Sequence, residues 1–252
     1  MVTSELVLVI IALFVVASLY SSVGLGGGSG YLAVLSMTSF AASEAVWLKQ
    51  YAWCLNLVVA GLAFWHYSKS GYHVKGLSFP FISASVPMAA LGGFILVGGG
   101  LYDALLTLAL LVAAWRLVST DAGVSEIVRP SISMALVVGG AIGLLSGVIG
   151  IGGGIFLLPV MMLGGWATAK EAAATTSLFV WLNSMAGLIG AALGGQLDLN
   201  HSLLVPFALA VLAGGLVGSR YGSALSTQRE VKAILVVVLI LASSKRVLEH
   251  LV

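Results

Sequence analysis

The chain has 252 residues, 60% of them hydrophobic and only 8% charged, with a formal net charge of +2. Soluble domains carry about 25% charged residues, so a water-soluble globular domain is excluded, and the lack of any basic run excludes a nucleic-acid-binding module. With a mean hydropathy of +1.12, this is the composition of an integral membrane protein. Its apolar runs are continuous and rich in Leu, Ala, Val and Gly. A membrane β-barrel would instead show alternating segments of about ten residues, so the expected fold is an all-α, polytopic membrane protein.

The first apolar run, Leu6 to Tyr20, has only Glu5 before it and no basic n-region. It is expected to be a membrane helix rather than a signal peptide. Hydropathy and breaker residues predict eight full-length helices: Glu5–Ser22, Val46–Trp65, Phe79–Val97, Tyr102–Val118, Ser131–Ile149, Glu171–Leu193, His201–Ser219 and Glu230–Leu248. Two further apolar segments, Ser29–Phe40 and Ile155–Leu163, are too short to cross about 30 Å as helices. They are expected to be half-helices or re-entrant segments.

Each short segment begins at a glycine run, Gly24-Leu25-Gly26-Gly27-Gly28 in one place and Gly150-Ile151-Gly152-Gly153-Gly154 in the other, 126 positions apart. Each glycine costs about 1 kcal/mol of helix propensity against alanine, so three in a row mark an opened backbone. In a bilayer such a backbone is tolerated only when buried in protein or lining a cavity. Beyond the glycines the correspondence continues one residue out of step: Glu44-Ala45 matches Glu171-Ala172, and Leu55-Asn56 matches Leu182-Asn183. The chain is therefore expected to be an internal duplication, with a first membrane repeat over 1–118, a linker over 119–130 and a second repeat over 131–252. Thr168 to Glu171 fits a helix capping box.

Lys and Arg positions bear on orientation. If the short segments do not cross, the repeats are parallel and the basic residues divide almost evenly. If each forms part of a crossing, the repeats are inverted. Lys69, Lys75, Arg116, Arg129, Lys170, Arg220, Arg229 and Lys232 then share one side, with Lys49, Lys245 and Arg246 opposite. Inverted repeats with both termini outside are expected.

A half-helix that starts at glycines presents unpaired amides and the positive end of its dipole, which suits an anion. Matched breaks in two halves of a membrane protein point to a transport site. Gly26, Gly27, Gly28 and Ser29 form one candidate set, and Gly152, Gly153 and Gly154 the other. Asn56 and Asn183, polar residues inside apolar helices, are candidates to hydrogen-bond the ligand. Lys49, Gln50, Thr175, Thr176 and Ser177 fall near the first turns of the same helices, and Lys49 is the candidate counter-charge. Trp53 and Trp181 are nearly equivalent and could wall the site, though packing explains them as well. Glu44 and Glu171 are proton-coupling candidates that already have a helix-start reason to be acidic. His66, His73 and His201 fit interfacial positions, and Arg116, Arg220, Lys245 and Arg246 fit topology anchors. Gly139/Gly143/Gly147 and Gly214/Gly218/Gly222 fit close helix packing. The lone Cys54 excludes an internal disulfide and a thiol metal site. Neither cofactor nor metal is expected.

The run from Gly150 to Pro159 (GIGGGIFLLP), followed by Ala172–Ser177 (AAATTS), resembles the TauE/SafE family of sulfite and sulfonate exporters, also called TSUP. The duplicated motif, chain length and two-half layout match over nearly the whole chain. The first half departs from the pattern, with Ala33 where Pro159 would align and Trp47–Gln50 in place of the Thr/Ser cluster. The resemblance implies a secondary transporter or facilitator of small organosulfur anions in the cytoplasmic membrane. Its partners would be the anion and the bilayer, with no oligomeric state assigned. A carrier of other small anions such as carboxylates, or of small metabolites, is a rival within the same class. Two rivals belong to other classes, and one of them is a purely structural membrane subunit. A rhomboid-like intramembrane serine protease is suggested by Gly27-Gly28-Ser29-Gly30, but no histidine falls mid-helix to activate Ser29, and the second copy has Ile155 instead of serine.

Overall fold

The computed structural model describes residues 3–36, 38, 45–95, 127–227 and 230, and among them it is helical with no strand. The helices are α1 (Thr3–Ser21), α2 (Gly28–Ser36), α3 (Ala45–Lys69), α4 (Lys75–Phe94), α5 (Ile132–Ile149), α6 (Gly154–Leu163), α7 (Ala169–Leu193) and α8 (His201–Arg220). A π-helical turn, Tyr221–Leu225, extends α8. The expected helices Tyr102–Val118 and Glu230–Leu248, most of the linker, and Glu44, Arg116, Arg229, Lys232, Lys245 and Arg246 lie outside the described residues.

The order long, short, long, long occurs twice, α1 to α4 and α5 to α8. By length and composition, α4, α5, α7 and α8 with its extension are apolar enough to cross a membrane. The two short helices open where the glycines do. α3 and α4 extend beyond their expected limits, α3 to Lys69 and α4 back to Lys75, because polar residues continue a helix after its apolar stretch ends. Thr168 caps α7 through the expected box, its side chain accepting from the Glu171 amide while the Glu171 carboxylate accepts from the Thr168 amide.

The helices pack in a reciprocal pattern. α1 lies on α8 as α5 lies on α4, α3 touches α8 as α7 touches α4, and α3 and α7 face each other at the centre. The glycine ladders expected to serve packing make two of these contacts. Gly139, Gly143 and Gly147 sit against the carbonyls of Phe81, Ser85 and Ala89, and Gly214, Gly218 and Gly222 against those of Phe14, Ser18 and Ser22. A Cβ at Gly143 would stand 2.4 Å from the Ser85 oxygen, so only glycine admits so close an approach.

These registers also give direction. Rising numbers on α5 meet rising numbers on α4, and the same holds for α8 on α1. Tyr51 bonds Asn200 and His66 bonds Ser219, so α3 is parallel to α8. Ser78 bonds Thr175 and Ser85 bonds Asn183, so α4 is parallel to α7. Across the centre, Gln50 bonds Gln196, Asn56 bonds Ser184 and Lys170 bonds Tyr72, so α3 and α7 are antiparallel. Hence α1, α3 and α8 run one way and α4, α5 and α7 the other. Each of these long helices is opposed to its counterpart in the other half, α1 to α5, α3 to α7 and α4 to α8, so the repeats are inverted.

Lys69, Lys75, Arg129, Lys170 and Arg220 all fall at the end where α3 and α8 finish and α4, α5 and α7 begin. Among the described basic residues only Lys49 is at the other end. The outside is apolar, with Leu8, Phe79, Val137 and Val217 each at least 60% exposed, while Asn56, Thr175, Thr176, Ser177 and Asn183 are fully buried. Large exposed apolar surface around a polar interior is the arrangement a bilayer solvates.

Candidate functional site

Both glycine runs turn the chain through left-handed backbone. Gly24 and Gly27 have φ of 77° and 98°, their counterparts Gly150 and Gly153 have 89° and 79°, and Gly152 adds a third positive value in the second run. Any side chain would be strained there. These turns end α1 and α5 and aim α2 and α6 back into the protein, with their first amides lacking intrahelical acceptors.

The two runs meet. A Cβ on Gly28 would stand 2.9 Å from the Ile151 carbonyl oxygen, and one on Gly154 would stand 2.9 Å from Leu25 Cδ2. These contacts are counterparts under the 126-residue offset. Where they meet, Tyr20, Leu25, Gly26, Gly27, Gly28, Ser29, Ile151, Gly154, Ile155 and Val180 enclose a cavity of about 10 Å³. That is room for about one water.

Polar side chains from α3, α5 and α7 surround the second run. A Cβ on Gly152 would lie 2.9 Å from Asn56 Nδ2 and 3.0 Å from Ser184 Oγ; one on Gly153 would lie 3.1 Å from Ser146 Cβ; and one on Gly154 would lie 3.0 Å from Thr176 Cγ2. Asn56 also faces Gly26 and Gly28, so it bridges both motifs. Its Nδ2 donates to Ser184 Oγ at 3.2 Å. Thr176, Val180, Asn183, Ser184 and Gly187 recur at helical spacing on one face of α7. Asn56 Oδ1, Ser146 Oγ, Thr176 Oγ1 and Asn183 Nδ2 are buried and have no hydrogen-bond partner. An unmade buried hydrogen bond costs about 1–3 kcal/mol, and three of these, Asn56, Ser146 and Thr176, lie beside the second glycine run.

The first run is more fully occupied. Tyr31 Oη donates to the Gly26 carbonyl at 2.6 Å, and the Tyr20 and Ser29 hydroxyls pair at 3.1 Å. The Ser29 partner is thus a tyrosine, with no histidine in this pairing.

Other expected site residues are placed elsewhere. Lys49 is buried, packs against Gly150 and donates from Nζ to the Val148 carbonyl at 3.0 Å, closing the last turn of α5. Gln50 clamps the loop before α8, donating to the Gln196 carbonyl and accepting from the Asp198 amide. Thr175 pairs with Ser78, Ser177 bonds the Ala174 carbonyl, and Asn183 Oδ1 accepts from Ser85. Glu171 holds its own helix start and pairs with Arg129 at 2.7 Å. Trp53 packs at Gly187 and Trp181 at Gly61, a mirrored pair in the α3–α7 seam. Ser146, Ser184, Tyr20 and Tyr31 join the site although no motif in the sequence marks them. A hydroxyl inside an apolar run was their only signal.

An apolar exterior, a polar interior and inverted halves meeting at broken helices define a multi-pass membrane transporter. Comparison with known proteins agrees. Residues 9–246 match the family model described as "Sulfite exporter TauE/SafE". The protein called "Probable membrane transporter protein y4hK" of Sinorhizobium fredii is 34% identical over 240 residues, which cover 93% of this chain and 95% of the relative. "Probable membrane transporter protein YunE" of Bacillus subtilis is 29% identical over 122 residues, 48% of this chain and 42% of that one. No solved structure matches. The chain belongs to the TauE/SafE family, and it is a membrane transporter of a small molecule rather than an enzyme.

Proposed function

We propose that the protein carries small sulfur oxyanions, sulfite or sulfonates, across the cytoplasmic membrane, binding them where the two glycine runs meet. The observation that carries this reading is the group of unpartnered buried polar atoms beside the N-terminus of α6. Ser146 and Thr176 offer hydroxyl donors, Gly154 and Ile155 offer amides, and the helix dipole favours negative charge there. Asn56 Oδ1 supplies an acceptor that suits the proton of a hydrogen sulfite ion. Gly26, Gly27, Gly28 and Ser29 complete the site from the other repeat, with Asn183, Thr175, Ser177, Lys49 and Gln50 supporting the helices that frame it.

A cavity of about 10 Å³ is too small for an oxyanion, so binding requires the halves to separate. Transport then proceeds by rocking of one bundle, α1, α3 and α8, against the other, α4, α5 and α7, which exposes the glycine contacts to one side and then the other. The test is flux of sulfite, alkylsulfonates and carboxylates into proteoliposomes, with and without a pH gradient. Saturable flux of a sulfur oxyanion is expected. Flux of carboxylates alone would refute the substrate while keeping the site.

A further inference from the structure

At the basic end of the molecule a second cavity opens between α3 and α8, with a volume of about 810 Å³. Its rim carries Lys69, His66 and Arg220 with the hydroxyls of Ser70 and Ser223, and its wall is Trp65, Leu216 and Val217. No acidic side chain pairs with Lys69 or Arg220 among the described residues, where the ion pair is Arg129 with Glu171. Lys69 Nζ stands 5.1 Å from the centroid of the Trp65 ring. Trp65, Leu216 and Val217 are 54%, 42% and 60% exposed, so the wall is open sideways to the surface that lipid covers.

We propose that this groove is a binding site for a phospholipid with an anionic headgroup, its phosphate held by Lys69 and Arg220 and its acyl chain laid along Leu216 and Val217. Charge complementarity selects the head, since two cations that no described acidic residue pairs with face one cavity at the end that the positive-inside rule assigns to the cytoplasm, where anionic lipids and basic pockets between helices pair. The apolar wall selects a lipid over a free anion, because a soluble phosphate has no use for it. Trp65 sits where an aromatic ring meets the headgroup region. The site is remote in kind from the glycine junction: it has no helix N-terminus and no broken helix. It does span both repeats, α3 from the first and α8 from the second, so a bound lipid would bridge the two halves.

The test is native mass spectrometry of the detergent-solubilised protein with phosphatidylglycerol or phosphatidylcholine of identical chains. It is paired with thermal shifts on adding each lipid, inorganic phosphate or glycerol phosphate. The wild type is expected to retain phosphatidylglycerol about 30-fold more strongly, the preference two basic side chains confer near an anionic surface. Lys69→Gln with Arg220→Gln should abolish that preference, and Lys75→Gln, at the same end but outside the groove, should keep it. Equal retention of the two lipids by the wild type would overturn the proposal even if the double variant failed to fold. So would an undiminished preference in the double variant, stabilisation by free phosphate equal to that by the lipid, or a dimer forming in place of lipid binding.

Discussion

Thr176 and Ser146 each bury a hydroxyl without a partner beside Gly154 and Gly153. A structural hydroxyl in that position is a liability of about 1–3 kcal/mol, so a near-isosteric apolar replacement should stabilise the fold. Thr176→Val and Ser146→Ala are therefore expected to leave the thermal midpoint in detergent unchanged or higher while weakening substrate binding. A lower midpoint with unaltered binding would show that the hydroxyls serve packing alone. Lys49 is different in kind. Its Nζ bonds Val148 at a helix C-terminus, where a charge-assisted bond contributes about 1.5–3 kcal/mol. Lys49→Met should lower the midpoint, and the test is whether Lys49→Arg restores it. The sequence shows these residues unevenly. Asn56 stands out as an amide in an apolar helix, but Ser146 and Ser184 look like any small residue, and only the inverted packing of α3, α5 and α7 brings them together.

At the scale of the helix, glycine does two separate jobs. In the runs at Gly24–Gly28 and Gly150–Gly154 it permits positive φ; in the ladders of α5 and α8 it permits a neighbouring carbonyl to sit where a side chain would be. Spacing in the sequence separates the two, since the helix opens at runs of three glycines, whereas the pairs Gly139-Gly140 and Gly214-Gly215 stay helical and glycines four apart line one face. Gly143→Leu should accordingly destroy the α4–α5 contact, with loss of monodisperse protein on size exclusion; Gly71→Ala, at an open turn with nothing within 4 Å of its Cβ position, should cost only the strain of a positive φ. The short helices were readable because each follows its glycine run directly. The polar ends of α3 and α4 were not, because hydropathy marks where lipid begins and ends and backbone hydrogen bonds ignore that limit.

For the whole molecule, the inverted arrangement follows from paired registers, and it explains the distribution of charge. Five of the described basic residues share one end because α3 and α8 finish where α4, α5 and α7 start. The sequence carries this in the Lys/Arg pattern, once the short helices are counted as parts of crossings. What it does not carry is the closeness of the two glycine runs, 126 residues apart in the chain and touching through Gly28 with Ile151 and Gly154 with Leu25. On the proposed placement of the substrate, that contact closes the site, and opening it has to break the contact. Asn56, which faces both runs, is the side chain whose loss reports most directly on whether the anion binds there. The measurement is the concentration dependence of sulfite flux in proteoliposomes for wild type and Asn56→Ala. A rise in KM of about tenfold or more, as loss of a hydrogen bond to a charged ligand implies, is expected in protein that remains folded; an unchanged KM would contradict the placement of the substrate between the glycine runs.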